Sequence, residues 1–275
     1  TGMRAHLLFD HHAHQTAASS SITDRQTVTY PVTPTGYAVF LPETGKEVPM
    51  GTTSENTTKY VSFLLDETGS MHSIKEDTIG GFNEYVDTLK KDGADIAFSL
   101  VSFNSNGTKS RYAAESIDAV PPLTDDNYRP AAMTPLIDAS VKIIKTTAKA
   151  VKKRSDEPFV LVVIQTDGYE NVSEKYTAAD LATLVKEKTK AGWQFVFLGA
   201  GLDAFDAARR AGFRIDRHKM VQYDRGHSAA VFRETARNSV EFLKSEKADS
   251  LNYSPSQRAK AVSYTHLTLP TILLV

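Results

Sequence analysis

A chain of 275 residues can hold one large domain with appendages, because compact domains usually contain about 100 to 200 residues. Lys and Arg number 32 against 33 for Asp and Glu, a formal net charge of −1 that removes any global drive toward nucleic acid or an anionic membrane. The absence of cysteine excludes disulfides and cysteine-based metal or redox chemistry, and no apolar run approaches the roughly 20 residues that span a bilayer. A soluble, cytoplasmic protein without a membrane partner is therefore expected.

Residues 1–56 show no sustained helical or strand period and are expected to be poorly structured, with Met50 a candidate native start. LPETG (41–45) matches a sortase signal but lacks the apolar stretch and basic tail that such an address needs. His11, His12 and His14 beside Asp10 could hold a metal only adventitiously. At the other end, VSYTHLTLPT (262–271) resembles a translated sequencing adapter. Residues 262–275 are therefore read as a scar and 248–261 as a C-terminal extension, leaving 57–247 as the domain.

TKYVSFLLD (58–66) is an almost unbroken apolar run, the pattern of a strand buried on both faces, and it ends on a carboxylate, Asp66. Ser73 and Glu76 form a capping-box pattern for a helix whose stripe is Ile79, Phe82, Val86 and Leu89, with Gly93 as C-cap. Gly80 and Gly81 within it cost about 1 kcal/mol each relative to alanine, which implies close packing. ADIAFSLVSFN (94–104) and KSRYAAES (109–116) form a hairpin signal across Ser105, Asn106, Gly107 and Thr108.

Thr134-Pro135 predicts a second helix with a hydroxyl N-cap, its stripe being Ile137, Val141, Ile144, Ala148 and Val151. PFVLVVIQTDG (158–168) is a strand that also ends at a carboxylate, Asp167. There follow a helix over 177–191, a strand over 193–199, a helix over 203–212, a strand over 219–223 and a helix over 228–246. This alternation predicts an α/β, doubly wound, mostly parallel sheet with one antiparallel edge strand. Ligands in such folds bind beyond the strands' carboxyl ends, so Asp66 and Asp167 should face one crevice.

Asp66, Thr68, Ser70, Thr134 and Asp167 would then converge from three loops. Two carboxylates and three hydroxyls are hard oxygen donors, suited to Mg²⁺, with Mn²⁺ or Ca²⁺ as alternatives, rather than to zinc. So few negative ligands leave a coordination position for an incoming carboxylate. The pattern Asp-x-Thr-x-Ser after the first strand, Thr-Pro-Leu at a helix start and a strand ending in Thr-Asp-Gly resembles the von Willebrand factor A (VWA) domain and its metal-ion-dependent adhesion site (MIDAS). The resemblance covers about 57–225, and IGGFNEYVDTLK (79–90) further resembles small single-domain members from bacteria and phages. It implies that the five residues hold the cation, with Thr68 standing where that family usually has serine, and that a Glu or Asp of a protein partner completes the coordination.

Other features carry less. The stripe of Lys142, Lys145, Lys149, Lys152, Lys153 and Arg154 lacks interleaved aromatics and reads as a solvated helix face rather than a nucleic-acid site. Asp125 and Asp126 read as exposed turn acids, Gly199-Ala200-Gly201 as a strand-to-helix turn, and His227 has no identifiable nucleophile beside it. A haloacid dehalogenase-type phosphatase with Asp66 as nucleophile is the enzymatic alternative. That chemistry needs an acid two residues on, where this chain has Thr68.

Overall fold

The computed structural model describes residues 58–92, 95–153, 158–201 and 203–262. The expectations for 1–56, LPETG, the histidine trio, Met50, Gly93, Arg154 and 263–275 lie outside the described residues.

Six strands form one sheet: β1 (Lys59–Asp66), β2 (Ile96–Asn104), β3 (Gly107–Ser116), β4 (Phe159–Thr166), β5 (Gln194–Ala200) and β6 (Met220–Tyr223). Their spatial order is β3-β2-β1-β4-β5-β6. Every pairing is parallel except β2 with β3, which places the antiparallel strand at one edge. The expected doubly wound α/β sheet is thus observed. β1 runs between β2 and β4, in register Phe63↔Leu100 and Phe63↔Val163, and all but its first residue are buried. Strand order reverses at β1, so the carboxyl ends of β1 and β4 flank the switch point, the place where folds of this kind bind ligands.

Helices α1 (Lys75–Asp92) and α5 (Ser228–Ser245) cover one face, while α2 (Leu136–Val151), α3 (Ala178–Lys190) and α4 (Ala204–Ala211) cover the other. On the first face Phe63 of β1 meets Phe82 edge-on at 5.4 Å and stacks on Phe232 at 6.0 Å. The glycine pair resolves into two cases. A Cβ on Gly81 would lie 2.7 Å from the Phe232 ring, so α1 and α5 approach there as glycine alone permits, whereas a Cβ on Gly80 would meet nothing within 4 Å.

Two cap assignments differ from expectation. Ser73 belongs to a 3₁₀ turn, Gly69–Ile74, and its hydroxyl donates to the Ser70 carbonyl rather than opening α1. The N-cap position of α2 is Pro135, and Thr134 makes no cap. The free N–H groups of Ile137 and Asp138 instead donate to Glu170 Oε2 (2.7 Å) and Ser173 Oγ (3.0 Å), supplied by the loop after β4. Beyond α5, residues 248–261 pack onto the first face: Leu251, Tyr253 and Ala261 are buried in its core, and Ser254 caps a short helix, α6 (Pro255–Ala259). Among the described residues no helix is long and apolar enough to cross a membrane.

Candidate metal centre

β1 delivers Asp66 to the sheet's carboxyl edge with its side chain fully buried. Asp66 Oδ1 accepts from the Thr68 N–H at 2.7 Å, and Oδ2 accepts from the Thr166 hydroxyl at 2.5 Å, which ties the end of β1 to the end of β4. The Tyr128 hydroxyl donates to the Asp66 carbonyl at 2.5 Å. Thr68 Oγ1 lies 3.2 Å from Ser70 Oγ, and the Ser70 hydroxyl donates to Asp167 Oδ1 at 2.5 Å. Four of the five proposed oxygen donors thus belong to one connected network.

Thr134 enters from the third loop. Its N–H donates to Asn171 Oδ1 at 3.0 Å, the Asn171 N–H returns a bond to the Thr134 carbonyl at 3.2 Å, and a Cβ on Gly168 would stand 3.0 Å from Thr134 Oγ1. Thr134 Oγ1 therefore sits against the backbone one residue beyond Asp167. Because Glu170 and Ser173 cap α2, this hydroxyl is not committed to the helix. Gly69 serves close approach: its N–H donates to the Ala132 carbonyl at 2.9 Å, and a Cβ there would lie 3.4 Å from that oxygen. Ala132 itself holds a left-handed conformation, φ +66°, rare for a residue with a side chain.

Burial dominates the electrostatics. It pushes Asp66 up to about 7, against the hydrogen bonds from Thr166 and Thr68, with the Asp167 charge adding to the rise. Asp167 is also raised, by burial first, with the Ser70 hydroxyl and the Arg225 guanidinium opposing. Arg225 Nη2 lies 3.3 Å from Asp167 Oδ2, and among the described residues no cation pairs with Asp66. A fully buried carboxylate of this kind is costly unless a cation compensates it. The donor set, hard oxygens with negative charge in deficit of a partner, fits a small divalent ion. It offers no imidazole or thiolate for a softer metal, and its two carboxylates fall short of a cluster of three or more His, Cys, Asp or Glu, of which none that could hold a metal occurs among the described residues.

Three residues around the site were not legible in sequence. Glu67 carries no signal there, yet it is buried, with Oε2 accepting from Ser102 Oγ (2.7 Å) and Arg111 Nη2 (2.9 Å) and Oε1 from the Arg129 N–H (2.8 Å). It braces the loop carrying Thr68 against β2, β3 and the segment before Thr134. Thr166 and Arg225 act across 100 and 58 positions of sequence; Thr166 stands in the Thr-Asp-Gly strand end without a role read for it there, and no local pattern marks Arg225.

The lesser candidates have ordinary surroundings. Lys142 Nζ bonds the Thr108 carbonyl at 3.2 Å and Lys145 Nζ lies 4.4 Å above the Tyr176 ring, while Lys149, Lys152 and Lys153 are exposed. Asp125 pairs with Lys75 and Asp126 lies near Arg129. Gly201, at φ +64°, forms a turn bonded to the Tyr223 carbonyl at 2.7 Å, and His227 precedes α5 without capping it through its side chain.

No protein-family model matches the chain, and no curated protein matches it. Among solved structures, proximal thread matrix protein 1 from the mussel byssus is similar at 12% identity and a TM-score of 0.46, over 67% of this chain and 46% of that one. The manganese-loaded TRAP protein of Plasmodium vivax is similar at 14% identity and TM-score 0.42, over 65% and 74% respectively. The SpRpn10 VWA domain is similar at 12% identity and TM-score 0.43, over 61% and 88%. The chain spans less than half the length of the mussel protein. At such identities and TM-scores the fold class rests on the strand order and register described above.

Proposed function

We propose that this domain is a non-enzymatic, Mg²⁺-dependent protein-binding module of the von Willebrand factor A kind. Asp66, Thr68, Ser70, Thr134 and Asp167 would hold the cation, with Mn²⁺ or Ca²⁺ as alternative ions, and a Glu or Asp carboxylate of a partner protein would complete the coordination. What supports this reading is the network joining Asp66, Thr68, Ser70 and Asp167 at the switch point, with Thr134 against Gly168, around a buried carboxylate that no cationic side chain among the described residues neutralises. When bound, the cation supplies a Lewis-acidic position for a carboxylate oxygen. The protein's part is orientation: the Thr68 N–H and Thr166 hydroxyl hold Asp66 in one rotamer, and Ser70 holds Asp167.

A nucleophilic role for Asp66 is disfavoured at position 68, which offers a hydroxyl rather than the acid that such chemistry needs two residues on. Calorimetric titration with Mg²⁺ and Mn²⁺ tests the reading. Thr68→Ser should bind as the parent does. Asp167→Ala and the near-isosteric Thr68→Val should each weaken binding at least about tenfold, on the order of 1.4 kcal/mol. Equal binding by the parent and Asp167→Ala would remove the site assignment.

A further inference from the structure

Among the described residues, two large apolar side chains stand exposed: Met133, at 53%, and Tyr169, at 41%. A lone exposed apolar residue is ordinary. These two, however, flank the same feature. Met133 immediately precedes Thr134, and Tyr169 lies two positions after Asp167. Their segments are laced together by the reciprocal bonds between Thr134 and Asn171 and by the approach of Thr134 Oγ1 to Gly168. Met133 and Tyr169 therefore leave the backbone one residue to either side of that contact.

Two arginines lie on the same edge, each paired with a carboxylate, Arg225 with Asp167 and Arg210 with Asp206. Arg225, half-exposed, reaches Asp167, and the Arg210 guanidinium lies 5.6 Å from the Tyr169 ring centre. A groove of about 390 Å³, lined in part by Ser105, Pro135, Asp138, Lys142, Glu174 and Tyr176, adjoins Met133 through Ser105. Ser105 anchors that border, its N–H donating to the Met133 carbonyl at 2.9 Å and its Oγ accepting from the Met133 N–H at 3.1 Å.

We infer that this edge recognises a protein segment in which one Asp or Glu is flanked by apolar residues. The inference rests on the proposed metal reading: the acid meets the cation, Met133 and Tyr169 receive its apolar neighbours, and the chain continues toward the groove. Charge complementarity to the bound cation selects the acid, and the exposed thioether and phenol rim selects what surrounds it. A flexible Met and an amphipathic Tyr are suited to such contacts. A small carboxylate would leave both side chains in water, and a phosphate backbone offers them no apolar group.

The test is selection of a displayed library of random heptapeptides with a fixed central glutamate, bound in Mg²⁺ and eluted with chelator. The parent should enrich apolar residues next to the glutamate at least about fivefold. The Met133→Ser/Tyr169→Ser double variant, altered at exposed positions outside the ligand set, should lose that enrichment while binding Mg²⁺ as tightly as the parent in calorimetry. Selection without apolar enrichment, equal enrichment by the double variant, or no selected peptide from a parent that holds Mg²⁺ would each overturn the inference. A parent that fails to hold Mg²⁺ would instead overturn the metal reading beneath it.

Discussion

Asp66 is where burial and function pull against each other. Its carboxyl is raised to about 7 by desolvation, more than the Thr166 and Thr68 hydrogen bonds recover. The sign follows: the folded, metal-free state holds the Asp66 proton more tightly than the unfolded state, so this group's contribution to stability falls as pH rises from about 4 to 7. A cation ligand must be ionised, so a proton competes with the metal below the raised value. Mg²⁺ affinity should therefore be nearly level above pH 8 and roughly thirtyfold weaker at pH 5.5, since 1.5 pH units below the titration point leave only a few per cent of the carboxylate. Titrations at pH 5.5, 7 and 8.5 measure this directly, and a pH-independent affinity would contradict a ligand Asp66 with a raised titration point. At this scale Asp66, Thr68 and Ser70 were readable as candidate donors because Asp, Thr and Ser at alternate positions after a buried strand form a local pattern. Glu67, Thr166 and Arg225 were not, because each acts through a partner far away in sequence.

At the scale of elements, α1 and α5 meet over Phe63, and Gly81 sets how closely. Gly81→Ala would push a methyl group to 2.7 Å from the Phe232 ring and should destabilise the domain by about 1–3 kcal/mol, the usual cost of overpacking. Gly80→Ala enters open space on the same helix and should stabilise by up to about 1 kcal/mol through helix propensity. Urea unfolding of the two variants beside the parent separates these outcomes; equal shifts would refute the packing argument. The sequence shows that two adjacent glycines in a helix need a reason, but not which one meets another helix, since Phe232 lies some 150 residues on. The α2 start has a similar history. Thr134-Pro135 reads as a cap by local rules, yet Glu170 and Ser173 take that task, and the threonine is left for the site.

For the whole molecule, the apolar runs of β1, β4 and β5 made the parallel sheet legible, because strands covered on both faces have little polar alternation to confuse with helix. The antiparallel edge was legible from the Ser-Asn-Gly turn between β2 and β3. The packing of 248–261 was not: Leu251, Tyr253 and Ala261 follow no helical or strand period, and only the assembled face of β1, α1 and α5 gives them somewhere to bury. The sheet's switch point sets the ends of β1 and β4 side by side, which is where the proposed site would form. Crystals grown with Mn²⁺ and measured at the manganese edge test that claim most directly. The account predicts one anomalous peak bounded by Asp66, Thr68, Ser70, Thr134 and Asp167. A peak elsewhere, or none there at saturating Mn²⁺, would contradict it.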